Sequence, residues 1–147
     1  MFCVWKFYFC RNSIFMDNEN LKSFESLEAW KVAKEFRKEI AAIAKTFPKH
    51  EHYMLRDQII RSSRSVSANI AEGYGRFHYQ ENIRACRIAR GSLTESLDHL
   101  LVAHEEEYIT DQKLLEMRKI YDHSLKLLNG YILFLKNKKQ KEKSIAA

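Results

Sequence analysis

The stretch LLEMRKIYDHSLKLLNGYILFL, residues 114–135, decides the fold because its apolar side chains recur at a helical period. Seven of them lie three or four residues apart: Leu114, Met117, Tyr121, Leu125, Leu128, Ile132 and Leu135. An average spacing of about 3.5 residues keeps one stripe of a helix facing its neighbours in a left-handed bundle. The stretch therefore predicts a long helix packed lengthwise in a helical bundle.

Three more helices are predicted upstream of this one. The expected limits of the four are Leu27 to Pro48, His50 or Glu51 to the Gly73-Tyr74-Gly75 break, Tyr79 to Glu105-Glu106-Glu107, and Thr110 onward. Ser26 and Thr110 are the expected N-caps of the first and fourth helices. Short connections favour antiparallel neighbours, so we predict an all-α protein, an up-down-up-down four-helix bundle.

The bundle domain is expected at residues 23–138. Residues 1–22 are expected to be a disordered or misassigned leader, since residues 1–15 are aromatic and unpatterned. The polar run that begins at Met16 is typical of a bacterial N-terminus and suggests a native start there. The lysine-rich residues 139–147 are expected to be a flexible basic tail.

The composition excludes several classes of protein. With 4 Gly and 1 Pro in 147 residues, the chain has too little turn material for most all-β folds. The uncharged apolar stretches fall far short of the roughly 18 residues that span a membrane, and no small-residue cleavage site follows the N-terminus. Cys3, Cys10 and Cys86 give no disulfide framework. We therefore expect a cytoplasmic protein with no membrane partner.

Two polar stripes run along the second and third helices at three- and four-residue spacing. Their members are Gln58, Arg61, Ser65, Asn69, Glu72 and Arg76, then Arg84, Arg87, Gly91, Glu95 and Asp98 or His99. Gly91 costs a helix interior about 1 kcal/mol relative to Ala, which predicts that another backbone comes close there. The stripes fit either a polar seam within the bundle or between subunits, or a catalytic or metal site.

The residue spacing argues against the catalytic or metal site. A di-iron bundle needs Glu-x-x-His on two helices, and none of the six histidines follows a Glu in this way. A Gly-rich phosphate loop, a His-Glu-x-x-His helix and a Cys-x-x-Cys pair are also missing. Ser62, Ser63, Ser65 and Ser67 are explained more simply as small residues for close packing. We therefore expect no catalytic residue, no metal and no cofactor.

Arginine occupies every Lys-or-Arg position between Glu51 and Asp111. Its planar guanidinium suits phosphate and carboxylate partners alike. A positive surface here would fit a nucleic-acid backbone, and the lysines that follow residue 135 would add to it. Ion pairs within and between subunits explain the same arginines equally well. The candidate nucleic-acid-binding residues are Arg61, Arg64, Arg84, Arg87 and Arg90.

The end of the fourth helix carries more apolar surface than one bundle can bury. Residues 127–135 (LLNGYILFL) are apolar on nearly every side of the helix. A monomeric bundle uses only one stripe, so the remaining surface predicts contact with another subunit. We therefore expect a homo-oligomer.

Several short motifs resemble one known family. They are FESLEAW at 24–30, Phe47-Pro48, Gln58 with Arg61, SVSANIAEG at 65–73 and IARGSLTE at 88–95. In this order they are similar to the bacterial 23S rRNA intervening-sequence protein family, over about residues 24–138. Ser67 stands where the family commonly has Pro, which removes a kink and should leave the fold unchanged.

The resemblance implies an antiparallel four-helix bundle that assembles into a ring-like homopentamer. The residues at its motif positions are Ser65, Asn69, Glu72, Gly73, Gly91, Ser92 and Glu95. The family name refers to genes inside insertions in ribosomal RNA genes and establishes no biochemical activity. Related bundles are accessory subunits of diversity-generating retroelements, in which a basic pentamer binds the reverse transcriptase and nucleic acid.

Together these features lead us to expect a non-enzymatic oligomer that associates with nucleic acid through an arginine-rich surface. The nucleic acid is expected to be structured RNA or another RNA or DNA. The alternative is a structural adaptor that binds only proteins, for example a reverse transcriptase. A metal or cofactor has no part in either hypothesis.

Overall fold

The computed structural model describes residues 23–145, which form four α-helices and two short 3-10 turns and contain no strand. The helices are α1 (Glu28–Ala44), α2 (Leu55–Tyr74), α3 (Tyr79–Glu105) and α4 (Asp111–Ile145), and the turns are Phe24–Ser26 and Lys49–Tyr53. Consecutive helices pack together, and α1 also packs against α4, which closes a four-helix bundle. The predicted leader at residues 1–22 lies outside this range.

The predicted apolar stripe of α4 faces the core. Met117, Leu128, Ile132 and Leu135 are buried, and the other three members are half-buried against the same cluster. They meet large buried side chains of the other helices: Phe36, Ile40, Ile59, Leu93 and Leu100. The all-helical bundle predicted from the period of this stripe is thus confirmed.

The start of α1 differs from the prediction that Ser26 caps it. The Ser26 hydroxyl donates to the Ser23 carbonyl at 2.8 Å, and Ser23 Oγ accepts the Glu25 N–H at 3.1 Å. Ser23 therefore caps the 3-10 turn that precedes α1. Leu27 is the N-cap residue of α1, and its apolar side chain makes no capping bond. Ser26, two residues before the helix, was the wrong choice because the preceding turn uses the hydroxyls of both serines.

The second helix begins later than predicted, at Leu55. Residues Lys49–Tyr53 form a separate 3-10 turn, in which Glu51 is buried. Glu51 Oε2 accepts the Leu55 N–H at 3.0 Å and so satisfies one donor at the start of α2. The predicted helix start at His50 or Glu51 is thus replaced by a separate turn, and the acidic residue in that turn caps the start of α2.

Small residues allow α2 and α3 to pack closely. Ser62, Ser63 and Ser96 are buried, and Ser96 donates from its hydroxyl to Ser62 Oγ at 2.8 Å. Ser67 is buried as well, but its hydroxyl accepts a hydrogen bond of 2.9 Å from Arg37 of α1. Gly73 makes the tightest approach, since a Cβ there would lie 2.7 Å from Asn82 Oδ1 and 2.9 Å from Ala85 Cβ. A side chain at position 73 would therefore push the end of α2 away from α3.

Helix α4 is the longest element, with 35 residues against 27 in α3. At 1.5 Å per residue it is about 52 Å long. Its last turns pass the beginning of α3, where Lys139 Nζ donates a hydrogen bond to Gln80 Oε1. Residues 139–145, which were expected to be a flexible tail, continue the helix up to Ile145.

Candidate nucleic-acid interface

The centre of the α2 polar stripe bonds to α3. Asn69 Nδ2 donates to the Ser65 carbonyl at 2.8 Å and to Ser65 Oγ at 3.0 Å. Ser65 Oγ in turn lies 2.9 Å from Ser92 Oγ on α3. The three half-buried or buried side chains therefore satisfy one another within the bundle, which is the arrangement that polar groups at a helix interface require.

The two motif glutamates lie apart from this network. Glu72 Oε1 accepts a hydrogen bond from the Arg76 guanidinium at 2.5 Å, and this bond with the negative charge of Glu72 raises the pKa of Arg76. Glu95 Oε1 is 3.7 Å from Nε2 of His99. That ring nitrogen is buried and makes no hydrogen bond to any described residue. Both glutamates are exposed, so neither is part of an enclosed acid–base site.

Gly91 does not have the close backbone contact that was predicted for it. A Cβ at this position would meet nothing within 4 Å among the described residues. The reason is its direction, since Gly91 is exposed on the outer side of α3 while Ser92 and Leu93 beside it are buried. Gly73, rather than Gly91, is the glycine that close helix packing requires.

An open groove runs along the outside of α2 and α3. We call it the outer groove; its lining residues are Asn69, Glu72, Arg76, Glu81, Arg84, Ala85 and Ile88, and its volume is about 340 Å³. Arg76 and Arg84 face two glutamates in it, so the charges of its lining balance. Such a groove offers no net attraction to a polyanion.

The five candidate arginines are all exposed on α2 and α3. Arg61 pairs with Asp57 at 3.3 Å, and Arg84 lines the outer groove. Arg90 donates to Asn129 Oδ1 on α4 at 3.1 Å. Arg64 is exposed on α2, whereas Arg87 lies on the side of α3 that faces α4. Arg84 and Arg87 thus line different clefts, one beside α2 and the other beside α4.

A second cleft, between α3 and α4, collects positive charge. We call it the basic cleft; it has a volume of about 270 Å³ and is lined by Gln80, Ile83, Arg87, Lys136, Lys139, Gln140 and Lys143. Four of these side chains are cationic. Among residues 23–145, no carboxylate lines the cleft or forms a salt bridge with any of the four. The basic cleft therefore presents uncompensated positive charge.

Among the five candidate residues only Arg87 lines this cleft, although the lysines that follow residue 135 were expected to add to a positive surface. The lysines at 136, 139 and 143 were assigned to the end of the helix and to the tail, because a lysine-rich run has the composition of a solvated segment. Their spacing of three and four residues was the available signal, since it places them on one side of a continued helix. What the sequence could not show is that this side faces Arg87.

The described residues offer few groups for covalent or metal chemistry. Burial raises the pKa of the Cys86 thiol to about 11, so it stays protonated near neutral pH. No cluster of three His, Cys, Asp or Glu side chains suited to a metal ion occurs within residues 23–145. None of the four helices there is both long and apolar enough to cross a membrane.

Comparison with known proteins places the chain in a family. No curated protein matches it significantly. A crystal structure of a protein of unknown function from the S23 ribosomal protein family of Bacteroides thetaiotaomicron is 25% identical, with a TM-score of 0.66, and the match covers 71% of this chain and 97% of that one. The model of the 23S rRNA-intervening sequence protein family matches residues 25–130. Because that match spans more than half of the sequence, the chain belongs to the 23S rRNA-intervening sequence protein family.

Proposed function

We propose that this protein is a non-enzymatic, cytoplasmic homo-oligomer that associates with structured RNA or other nucleic acid through the basic cleft. One observation carries the proposal: four cationic side chains, Arg87 with three lysines, line one cleft that no described carboxylate neutralises. Phosphate groups repeat along any nucleic acid, and the counterions bound to them are released when cationic side chains take the place of those counterions. A cleft of this kind therefore favours a polyanion over a protein with mixed charge.

The proposed arrangement of the helices is up-down-up-down. In the contacts between α2 and α3, residue numbers rise along α2 while they fall along α3, as in Ser62 with Ser96 and Ser65 with Ser92. Between α3 and α4, Asn82 donates to the Tyr131 hydroxyl and Lys139 to Gln80, whereas His104 near the other end of α3 contacts Asp111. These pairings support antiparallel neighbours joined by short connections.

The proposed oligomer is a ring-like pentamer, as family resemblance implies. Leu133 and Phe134 support an oligomer because they remain 57% and 52% exposed at the apolar end of α4. Apolar side chains exposed side by side are typical of interaction surfaces. A ring would repeat the basic cleft once in each subunit, and binding at several clefts together would strengthen the attachment of a long nucleic acid.

The test is binding of the full chain to a structured RNA and to duplex DNA, measured by fluorescence anisotropy between about 50 and 200 mM salt. We expect affinity to fall steeply with salt and to depend weakly on sequence. Failure to bind either nucleic acid at the lowest salt would reject the proposal. A salt-independent interaction would reject it as well, since phosphate contacts always displace counterions.

The second candidate function is an adaptor that binds only proteins, such as a reverse transcriptase. The outer groove favours it, because the charges there balance and Ile88 is 51% exposed at its edge. Mixed charge around an exposed apolar residue is typical of protein interfaces. Ile88→Lys would abolish partner binding in this case and leave nucleic-acid affinity unchanged or higher.

A further inference from the structure

We infer that the basic cleft holds the backbone of an unpaired nucleic-acid strand while Phe77 stacks on one of its bases. This inference rests on the proposed function and specifies the form of nucleic acid that the cleft accepts. It combines the cleft with a separate feature, an aromatic ring on the connection between α2 and α3.

Phe77 is 87% exposed, a value that only Tyr53, at 88%, exceeds among the large hydrophobic residues of the range 23–145. Among the residues that the structure describes, its one ring contact is edge-on with His78, at a centroid distance of 4.9 Å. An apolar side chain so exposed adds nothing to the core. Its faces are open to a ligand ring, as stacking requires.

Phe77 lies close to the basic cleft. Only three residues along the chain separate it from Gln80, which lines the cleft and accepts a hydrogen bond from Lys139. Three residues span at most about 11 Å. When a strand is bound at this end of the cleft, a base that projects from its backbone is therefore within reach of the Phe77 ring.

The dimensions of the cleft suit a short piece of backbone. Lys136 and Lys143 are seven residues apart on α4, or about 10 Å along its axis. An unpaired strand is more extended than a duplex strand, which has one phosphate every 3.4 Å or so, and it therefore places at most about three phosphates over this distance. Three lysines and Arg87 are sufficient to contact them.

The exposed ring distinguishes an unpaired strand from a duplex. In a duplex the base faces are covered by their neighbours, and exposing one costs unstacking energy. An unpaired strand offers its base faces freely, and aromatic side chains bind them with little regard to sequence. The shared ligand chemistry is a phosphodiester backbone with unstacked bases, whether the sugar is ribose or deoxyribose.

The experiment uses the full chain and labelled strands about 15 nucleotides long, oligouridine and oligothymidine, with a GC-rich RNA duplex of equal length. We expect at least one single strand to bind more tightly than the duplex. Phe77→Ala should weaken single-strand binding by at least about fivefold, and Phe77→Trp should preserve it. The triple variant Lys136→Gln, Lys139→Gln and Lys143→Gln should reduce the slope of log affinity against log salt by about 2.

Two controls match these variants. Tyr53→Ala removes an aromatic side chain that is 88% exposed just before the start of α2. Phe77 follows the other end of α2, and the helix between them is about 30 Å long. Arg118→Gln with Lys119→Gln and Lys126→Gln removes three exposed charges from α4 outside the cleft. Both should leave single-strand binding within about twofold of the unmodified protein.

Two results would overturn this inference alone: equal affinity for single strands and duplex, or an unchanged affinity in Phe77→Ala. Either would leave the proposed nucleic-acid association in place. Loss of binding in the Tyr53 control equal to that in Phe77→Ala would also overturn it. If the protein binds none of the three probes, the proposed function fails together with it.

Discussion

The hydroxyl of Tyr108 donates a hydrogen bond of 3.2 Å to Oε1 of Glu51, although 57 residues separate them in the chain. The other carboxylate oxygen of Glu51 accepts the Leu55 N–H. One buried side chain therefore joins the start of α2 to the connection between α3 and α4. Burial, followed by the bond to Glu51, raises the pKa of the Tyr108 hydroxyl, which keeps this donor protonated near neutral pH.

Glu51→Ala should lower the free energy of unfolding by about 1–2 kcal/mol, because it leaves the Leu55 N–H without its cap. Urea unfolding followed by circular dichroism measures this change. Glu105→Ala is the control, since Glu105 is exposed at the end of α3. Equal stability of the two variants would show that the Glu51 carboxylate has no capping role.

Alanine at the two helical glycines should have opposite effects. Gly73→Ala should destabilise the protein by about 1–3 kcal/mol, because its Cβ would lie 2.7 Å from Asn82 Oδ1. Gly91→Ala should stabilise the protomer by up to about 1 kcal/mol through helix propensity, since its Cβ would enter open space. Thermal unfolding of both variants checks the signs. A destabilised Gly91→Ala that also loses its oligomeric state would place position 91 at a subunit interface.

Cys86 should react slowly with a thiol reagent at pH 8 in the native protein and rapidly in urea. Its pKa of about 11, against an ordinary 9.0, leaves only about one thousandth of the thiol ionised at that pH. Because the folded-state pKa is the higher one, stability should be full below pH 9 and should fall as the pH rises towards 11. The measurement needs a Cys3→Ser, Cys10→Ser background. Fast labelling without urea would contradict the buried position of Cys86.

Arg87→Gln and Arg84→Gln form a matched pair on one helix. The first removes a cation from the basic cleft, and the second removes one from the outer groove, where glutamates already neutralise the charge. We expect Arg87→Gln to reduce the salt slope of nucleic-acid binding by about 0.7–0.9, and Arg84→Gln to leave it unchanged. Equal reductions would instead indicate that the whole outer side of α3 contacts phosphate.

Leu133→Lys and Phe134→Lys should dissociate the proposed oligomer while each subunit stays folded. Both side chains are more than half exposed, so charge at either position disturbs a contact surface rather than the core. Light scattering should then give the subunit mass of 17.5 kDa. Leu115→Lys is the comparison, because Leu115 is 49% exposed near the other end of α4. An unmodified protein that is already monomeric would exclude the proposed ring.

The sequence predicted the parts of the fold that depend on local periodicity. The apolar period of α4 identified its core face because each buried position recurs within one turn or two of the next. The start of α1 was harder, since Ser26 fits the capping pattern and only the backbone course through the 3-10 turn shows that Leu27 occupies the N-cap position. Helix boundaries are least certain where such a turn intervenes.

The candidate site was predicted less well because it depends on which helix faces lie together. Arg84 and Arg87 are three residues apart, yet they line different clefts on the two sides of α3. Gly91 in a helix is compatible with either a tight contact or open solvent, and spacing alone does not distinguish them. The lysines after residue 135 were expected to add positive charge, but their position beside Arg87 depends on α4 continuing as a helix alongside Gln80 of α3.

Helix α4 extends beyond the core of the bundle, so the residues that stabilise the fold and the lysines that set its surface charge lie in different parts of it. Lys136, Lys139 and Lys143 follow residue 130, where the family match ends, and the last buried residue of α4 is Leu135. Substitutions beyond that point change the electric potential of a helix that is already anchored, so they carry little risk to folding. Relatives that share the bundle can therefore gain, lose or reverse the charge of this edge within two helical turns, so a ligand bound there by one member need not be inherited by the next.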